Sequence, residues 1–138
     1  MNSSQASERE QLLNQELARY LDLLIKHDEP ERIIVFGSLA TGDIHPWSDI
    51  DLVIIKQTIL PFIQRLHEVR RLLHPRVGTD ILVYTPEEFE RLSKRRLFLR
   101  EEILDKGIVV YERDRGVLVD LRPGGLTSGA GSAGKGNS

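Results

Sequence analysis

Leu12, Leu13, Leu17, Leu21, Leu24 and Ile25 recur at helical spacing and form a single apolar stripe. Just upstream, Ser7-Glu8-Arg9-Glu10 has the composition of a capping box, so a helix start is expected at Ser7. Asp28, Glu29 and Pro30 end the stripe. The next run, Ile33-Ile34-Val35-Phe36, is short, continuous and rich in β-branched residues, the pattern of a buried strand. A loop holding Gly37, Gly42 and Pro46 follows, and then a second strand-like run over Ile50–Ile55. Pro61 suits the first turn of a helix whose stripe is Phe62, Ile63, Leu66, Val69, Leu72 and Leu73. Residues 77–84 read as a third strand. Thr85-Pro86-Glu87-Glu88 is a second capping box, with proline at the first helical position. Phe89, Leu92, Leu99 and Ile103 give the helix that follows an inner face, with a break expected near Arg95, and residues 108–111 make a fourth strand.

This order predicts an α+β fold, a small mixed β-sheet of about four strands with helices packed on it. The 138 residues suit one domain with a modest core. From Gly124 the composition turns to glycine and serine with almost nothing to bury. The expected organisation is therefore one domain over residues 1–123 and a flexible tail over 124–138. No internal repeat is visible.

A net charge of -2 argues against a general nucleic-acid or anionic-membrane binder. Lys94-Arg95-Arg96 and Arg70-Arg71 read first as solvated helix faces. The chain has no cysteine, which excludes disulfides, iron–sulfur clusters and thiolate zinc sites. Met1 to Ser7 is polar, unlike a secretory signal, and no apolar run approaches the roughly 20 residues of a membrane span. A cytoplasmic protein is expected.

The chemistry concentrates between Phe36 and Leu52. A strand ends in Gly37-Ser38, and after a gap of ten residues Asp49-Ile50-Asp51 opens the next strand. Alternation along a strand puts Asp49 and Asp51 on one face. Asp80 lies in the third strand between apolar residues, where an unpaired acid would be costly. If that strand lies beside the second, three carboxylates converge. Like charges ~4 Å apart repel by about 4 kcal/mol at an effective dielectric of ~20. Mg²⁺ relieves this by taking oxygen ligands, and two such ions clamp the attacking and leaving oxygens of a phosphoryl transfer. Gly37 lets a triphosphate approach the backbone, and Ser38 offers a hydroxyl and an amide at an expected helix start. A lone Asp-x-Asp is usually a solvated turn; the spacing, the flanking strands and the third acid lift this one above that background.

Other residues carry weaker signals. Gly37 to Gly42 has the glycine spacing of a P-loop, but Asp43-Ile44 replace its Lys-Ser/Thr and exclude that reading. Ser48 is expected to order the turn before Asp49. Asp43 and His45 read as loop residues, and His67 and His74 as structural. Trp47 could stack on a base or pack over the loop, and Lys56 could touch phosphate.

The run "VFGSLATGDIHPWSDIDLVI" and the later Asp80 resemble the DNA polymerase β-like nucleotidyltransferase superfamily, whose motif is Gly-Ser, about ten residues, then Asp-x-Asp. The resemblance covers roughly half of the chain, from the first strand to the third helix, and within the superfamily it points to the minimal nucleotidyltransferases. It implies that Asp49 and Asp51 bind two Mg²⁺ ions, and that Asp80 binds the catalytic one and takes the acceptor's proton. Gly37 and Ser38 would hold the triphosphate of ATP. It further implies an antitoxin of the HEPN/MNT type, transferring AMP to a tyrosine hydroxyl of a HEPN ribonuclease toxin. The Arg-x(4–6)-His motif of such toxins is absent, so the partner is expected on a separate chain, with homo- or hetero-oligomers left open. Two alternatives stand beside it: a small-molecule enzyme of the aminoglycoside type, and a non-catalytic antitoxin that masks its toxin.

Overall fold

A computed structural model of the chain describes residues 3–121. Helix α1 spans Ser3–His27, strand β1 Arg32–Phe36, the single turn α2 Ser38–Thr41, and strand β2 Ile50–Ile55. Helix α3 follows at Phe62–Leu73, strand β3 at Thr79–Tyr84 and helix α4 at Pro86–Ser93. Segment α5, Leu99–Asp105, is wound as a π-helix, and strands β4 (Ile108–Glu112) and β5 (Gly116–Val117) close the described chain.

The five strands form one sheet in the order β3-β2-β1-β4-β5. β2 and β3 run parallel, and the other neighbours pair antiparallel, so the sheet is mixed as expected. β1 and β2 are central and covered on both faces, which is why they read as unbroken apolar runs. Ile33, Val35, Leu52 and Ile54 join one core with Leu13, Leu17, Tyr20 and Leu24 of α1 and Val69 and Leu73 of α3. Ile34, Phe36, Val53 and Ile55 face the other way, onto Phe89 of α4 and Leu99 and Ile103 of α5. Alternation then assigns Asp51 and Asp80 to this second face, with Val53 and Leu82.

Three expectations are corrected. The first helix begins at Ser3, so Ser7-Glu8-Arg9-Glu10 lies inside it and does not start it. Residues 3–27 contain neither glycine nor proline, and nothing upstream of Ser7 stops the helix from extending. The sheet has a fifth strand, β5, made of only two residues, the first of which, Gly116, has φ +79°. Such a strand is too short to leave a periodicity. The third strand begins at Thr79, two residues later than expected. The tail over 124–138 lies outside the described residues.

The second capping box forms as read: Thr85 Oγ1 accepts from the Glu88 amide at 3.1 Å, and the Thr85 amide donates to Glu88 Oε1 at 3.0 Å. Glu88 also meets Arg65 in a two-pronged pair, with Nη1–Oε1 at 2.7 Å and Nη2–Oε2 at 3.0 Å. Arg65 is buried and donates in addition to the carbonyls of Leu60 and Val83, tying α3 to β3 and α4. The Arg65 guanidinium holds Glu88 down at about 2. On the opposite core, the buried Tyr20 hydroxyl meets Thr79 Oγ1 at 2.7 Å, and burial pushes the phenol up to about 12. No described helix is long and apolar enough to cross a membrane.

Candidate active site

β1 ends at Phe36, and the chain turns at Gly37 with φ +74°, a backbone conformation that glycine adopts without steric cost. The turn presses the chain against β2: a side-chain carbon on Gly37 would collide with the Asp51 carboxylate. Ser38 then opens α2, as expected, where the amides of Ala40 and Thr41 bond the Gly37 carbonyl at 3.0 and 3.1 Å. Gly42, at φ +87°, closes the turn with its amide on the Ser38 carbonyl.

The loop into β2 is tied by Ser48. Its amide donates to the His45 carbonyl at 3.0 Å, and its hydroxyl accepts from the His45 amide at 2.8 Å. Ser48 is buried and orders the turn before Asp49, in keeping with the sequence reading. His45 and Trp47 stack on each other, with centroids 4.9 Å apart and planes 7° apart. His45 Nε2 also lies 3.6 Å from Asp43. Trp47 packs on His45 of its own loop yet remains 71% exposed, so it fills no core.

Asp51 and Asp80 are register partners across the parallel β2–β3 pair, and their carboxylates share a hydrogen bond. Burial, that hydrogen bond, and the charges of Asp80 and Asp49 push Asp51 up to about 7. Near neutral pH Asp51 is therefore partly protonated. Asp80 is exposed, contrary to the expectation of a costly buried acid. The reason is that its face of β3 is left uncovered at this end of the sheet, beyond the reach of α4 and α5.

Asp49 stands one step before β2, opposite Gly78. A side-chain carbon on Gly78 would lie 2.5–2.8 Å from the Asp49 carboxylate atoms, so only glycine leaves that carboxylate its place. Arg9 of α1 reaches the same point: its Nε donates to the Ser48 carbonyl at 2.8 Å, and its Nη2 lies 3.5 Å from Asp49 Oδ1. Among the described residues, no three acidic or histidine side chains stand close enough to hold a metal ion as they are. The expected convergence is thus only partly realised. Asp51 and Asp80 meet, while Asp49 lies beside them, paired with Arg9. The donor set still suits a hard divalent cation: carboxylate oxygens, and two glycines giving room.

Sequence reasoning missed Arg9 and Gly78. Gly78 had a usable signal, since a glycine within a strand pattern marks a close approach of another group. Arg9 had none, because its partners lie some 40 residues away along the chain. Lys56 does not reach the site. It lies half-buried just past the opposite end of β2 and pairs with Asp28 at 2.6 Å. His74 caps α3 through its backbone, in keeping with a structural role.

Comparison with known proteins fits this geometry. The family described as "Polymerase beta, Nucleotidyltransferase" matches residues 19–116. A crystal structure of a candidate nucleotidyltransferase from Sulfolobus solfataricus superposes with a TM-score of 0.60 at 19% identity. The match covers 81% of this chain and 92% of that one, a likeness of fold. No curated protein matches the sequence.

Proposed function

Because the chain belongs to the polymerase beta nucleotidyltransferase family, we propose that it is a metal-dependent protein adenylyltransferase and the antitoxin of a HEPN ribonuclease toxin. In this reading it transfers AMP from ATP to a tyrosine hydroxyl of that separate chain, in the cytoplasm. The observation that carries the catalytic part is the Asp51–Asp80 pair, side by side across β2 and β3, with Gly37 pressed against Asp51.

Asp49, Asp51 and Asp80 would hold two Mg²⁺ ions, with Asp49 leaving Arg9 to do so. Bound there, the ions would neutralise charge building on the triphosphate and on the attacking oxygen. Gly37 and Ser38 receive the triphosphate at the end of β1. The acceptor oxygen bonds to the α-phosphorus, the bond from that phosphorus to the bridging oxygen of the β-phosphate breaks, and pyrophosphate leaves. Asp80, exposed on the β3 side, takes the hydroxyl proton. The openness of Asp49 and Asp80 suits an acceptor presented by another protein, because a protruding side chain can reach both. The antitoxin identity rests on the motif's likeness to the minimal nucleotidyltransferases.

The test is intact-mass spectrometry of a HEPN partner incubated with the chain, ATP and Mg²⁺. An AMP-sized increase with the wild type and none with Asp51→Asn is expected. An unmodified partner with the wild type would overturn the proposed activity.

A further inference from the structure

The row of side chains crossing the sheet continues past the acids. Asp80, Asp51 and Phe36 are register partners on β3, β2 and β1. Residues directly opposite one another in a sheet project from the same face. Phe36 is buried, and the ring of Phe98 meets it edge-to-face with centroids 5.8 Å apart. Phe98 itself stays 51% exposed, and its neighbour Leu97 is 62% exposed.

Both residues belong to the connection between α4 and α5. α4 packs on β3 and α5 on β1, so this connection crosses the face that carries Asp51. It also carries Lys94-Arg95-Arg96. Lys94 pairs with Glu90, whereas Arg95 and Arg96 have no ion-pair partner among the described residues. The charge of Arg96 reaches Tyr84, at the end of β3 away from Asp80.

An exposed aromatic ring packed on the residue next to Asp51, with Gly37 and Ser38 at the end of the same strand, suits a ligand with a flat π-face and several negative charges. A nucleoside triphosphate has both. The side of approach is decided by the register. Phe98 stands on the β1 side of Asp51, where Gly37 and Ser38 lie, and Asp80 stands on the other side, toward the acceptor.

Resting on the nucleotidyltransferase reading, we propose that Phe98 is a donor-binding residue whose free ring face packs against the base of the nucleoside triphosphate. Base–aromatic packing of this kind is sequence-tolerant, because every base presents a π-face.

The experiment is calorimetric titration of the full chain with ATP and, separately, with inorganic tripolyphosphate, both with Mg²⁺. Phe98→Ala is expected to weaken ATP binding about tenfold and to leave tripolyphosphate binding as in the wild type. Phe98→Tyr, which keeps the ring, is expected to bind ATP as the wild type does. Circular dichroism checks that both variants are folded. Wild-type ATP affinity in Phe98→Ala overturns the inference, including the case in which transfer to a protein acceptor falls, since the ring then serves the acceptor. Equal loss of ATP and tripolyphosphate binding overturns it too, because the base is then not what the ring holds. A wild-type chain that binds no ATP overturns the nucleotidyltransferase reading together with this inference. A wild type that binds and transfers while Phe98→Ala binds equally well overturns the inference alone.

Discussion

Gly78 stands opposite Asp49 so closely that a methyl group in its place would overlap the Asp49 carboxylate. Gly78 has ordinary negative-φ geometry, and the Asp49 side chain is 51% exposed and able to swing away. Gly78→Ala should therefore leave the fold standing, with a stability change of about 1 kcal/mol or less. Displacing the carboxylate by about 1 Å should cost on the order of 100-fold in transfer rate. Thermal unfolding and single-turnover kinetics together check this. A large loss of stability with activity retained would refute it.

Arg9 competes with any cation that approaches Asp49. In Arg9→Ala the ion pair is lost at little cost, about 0.5 kcal/mol for a pair this exposed. The freed carboxylate should then bind Mn²⁺ or Mg²⁺ a few-fold more tightly. Calorimetric metal titration of the variant and the wild type measures the difference. Weaker metal binding in Arg9→Ala would instead make Arg9 a support that orients Asp49.

Arg65 and Glu88 hold three elements together from a buried position. Removing the guanidinium leaves Glu88 and the carbonyls of Leu60 and Val83 without their donor. Arg65→Ala should destabilise the chain by about 3 kcal/mol. Glu88→Gln keeps an acceptor for the capping box and should cost less, about 1–2 kcal/mol. Urea unfolding of both variants tests the order, and equal losses would contradict it.

Two carboxyl groups impose opposite pH slopes. Glu88 is held at about 2 against an ordinary 4.5, so its stabilisation is present above its unfolded value and is lost as pH falls from 4.5 toward 2. Asp51 is raised from 3.8 to about 7, so its contribution is present below 3.8 and is lost as pH rises through 7. The metal-free chain should therefore lose thermal stability on both sides of the ordinary carboxylate range. Glu88→Gln should flatten the acid limb and Asp51→Asn the neutral limb. Added Mg²⁺ should also flatten the neutral limb by favouring the ionised acids. A neutral limb of unchanged slope in Asp51→Asn would show that another group causes it.

What the sequence determined by itself is local. The apolar runs of β1 and β2, the stripe of α3, and the Thr85-Pro86-Glu87-Glu88 start of α4 follow from periodicity and from hydrogen bonds made within a few residues. Asp49, Asp51, Gly37 and Ser38 were legible for a related reason, since one strand-loop-strand segment carries them all at a spacing set by the chain. The start of α1 was misread because a capping composition also occurs in helix interiors, and no breaker marked the true end.

Only the tertiary structure decided the rest. The parallel pairing of β2 with β3 sets Asp80 against Asp51, and β1 brings Phe36 and, through it, Phe98 to the same row. Gly78 matters because of Asp49, and Asp49 is held by an arginine from the first helix. These relations depend on strand register and on packing between distant segments. Register is chosen by the burial of whole faces at once, so no short stretch of sequence encodes it.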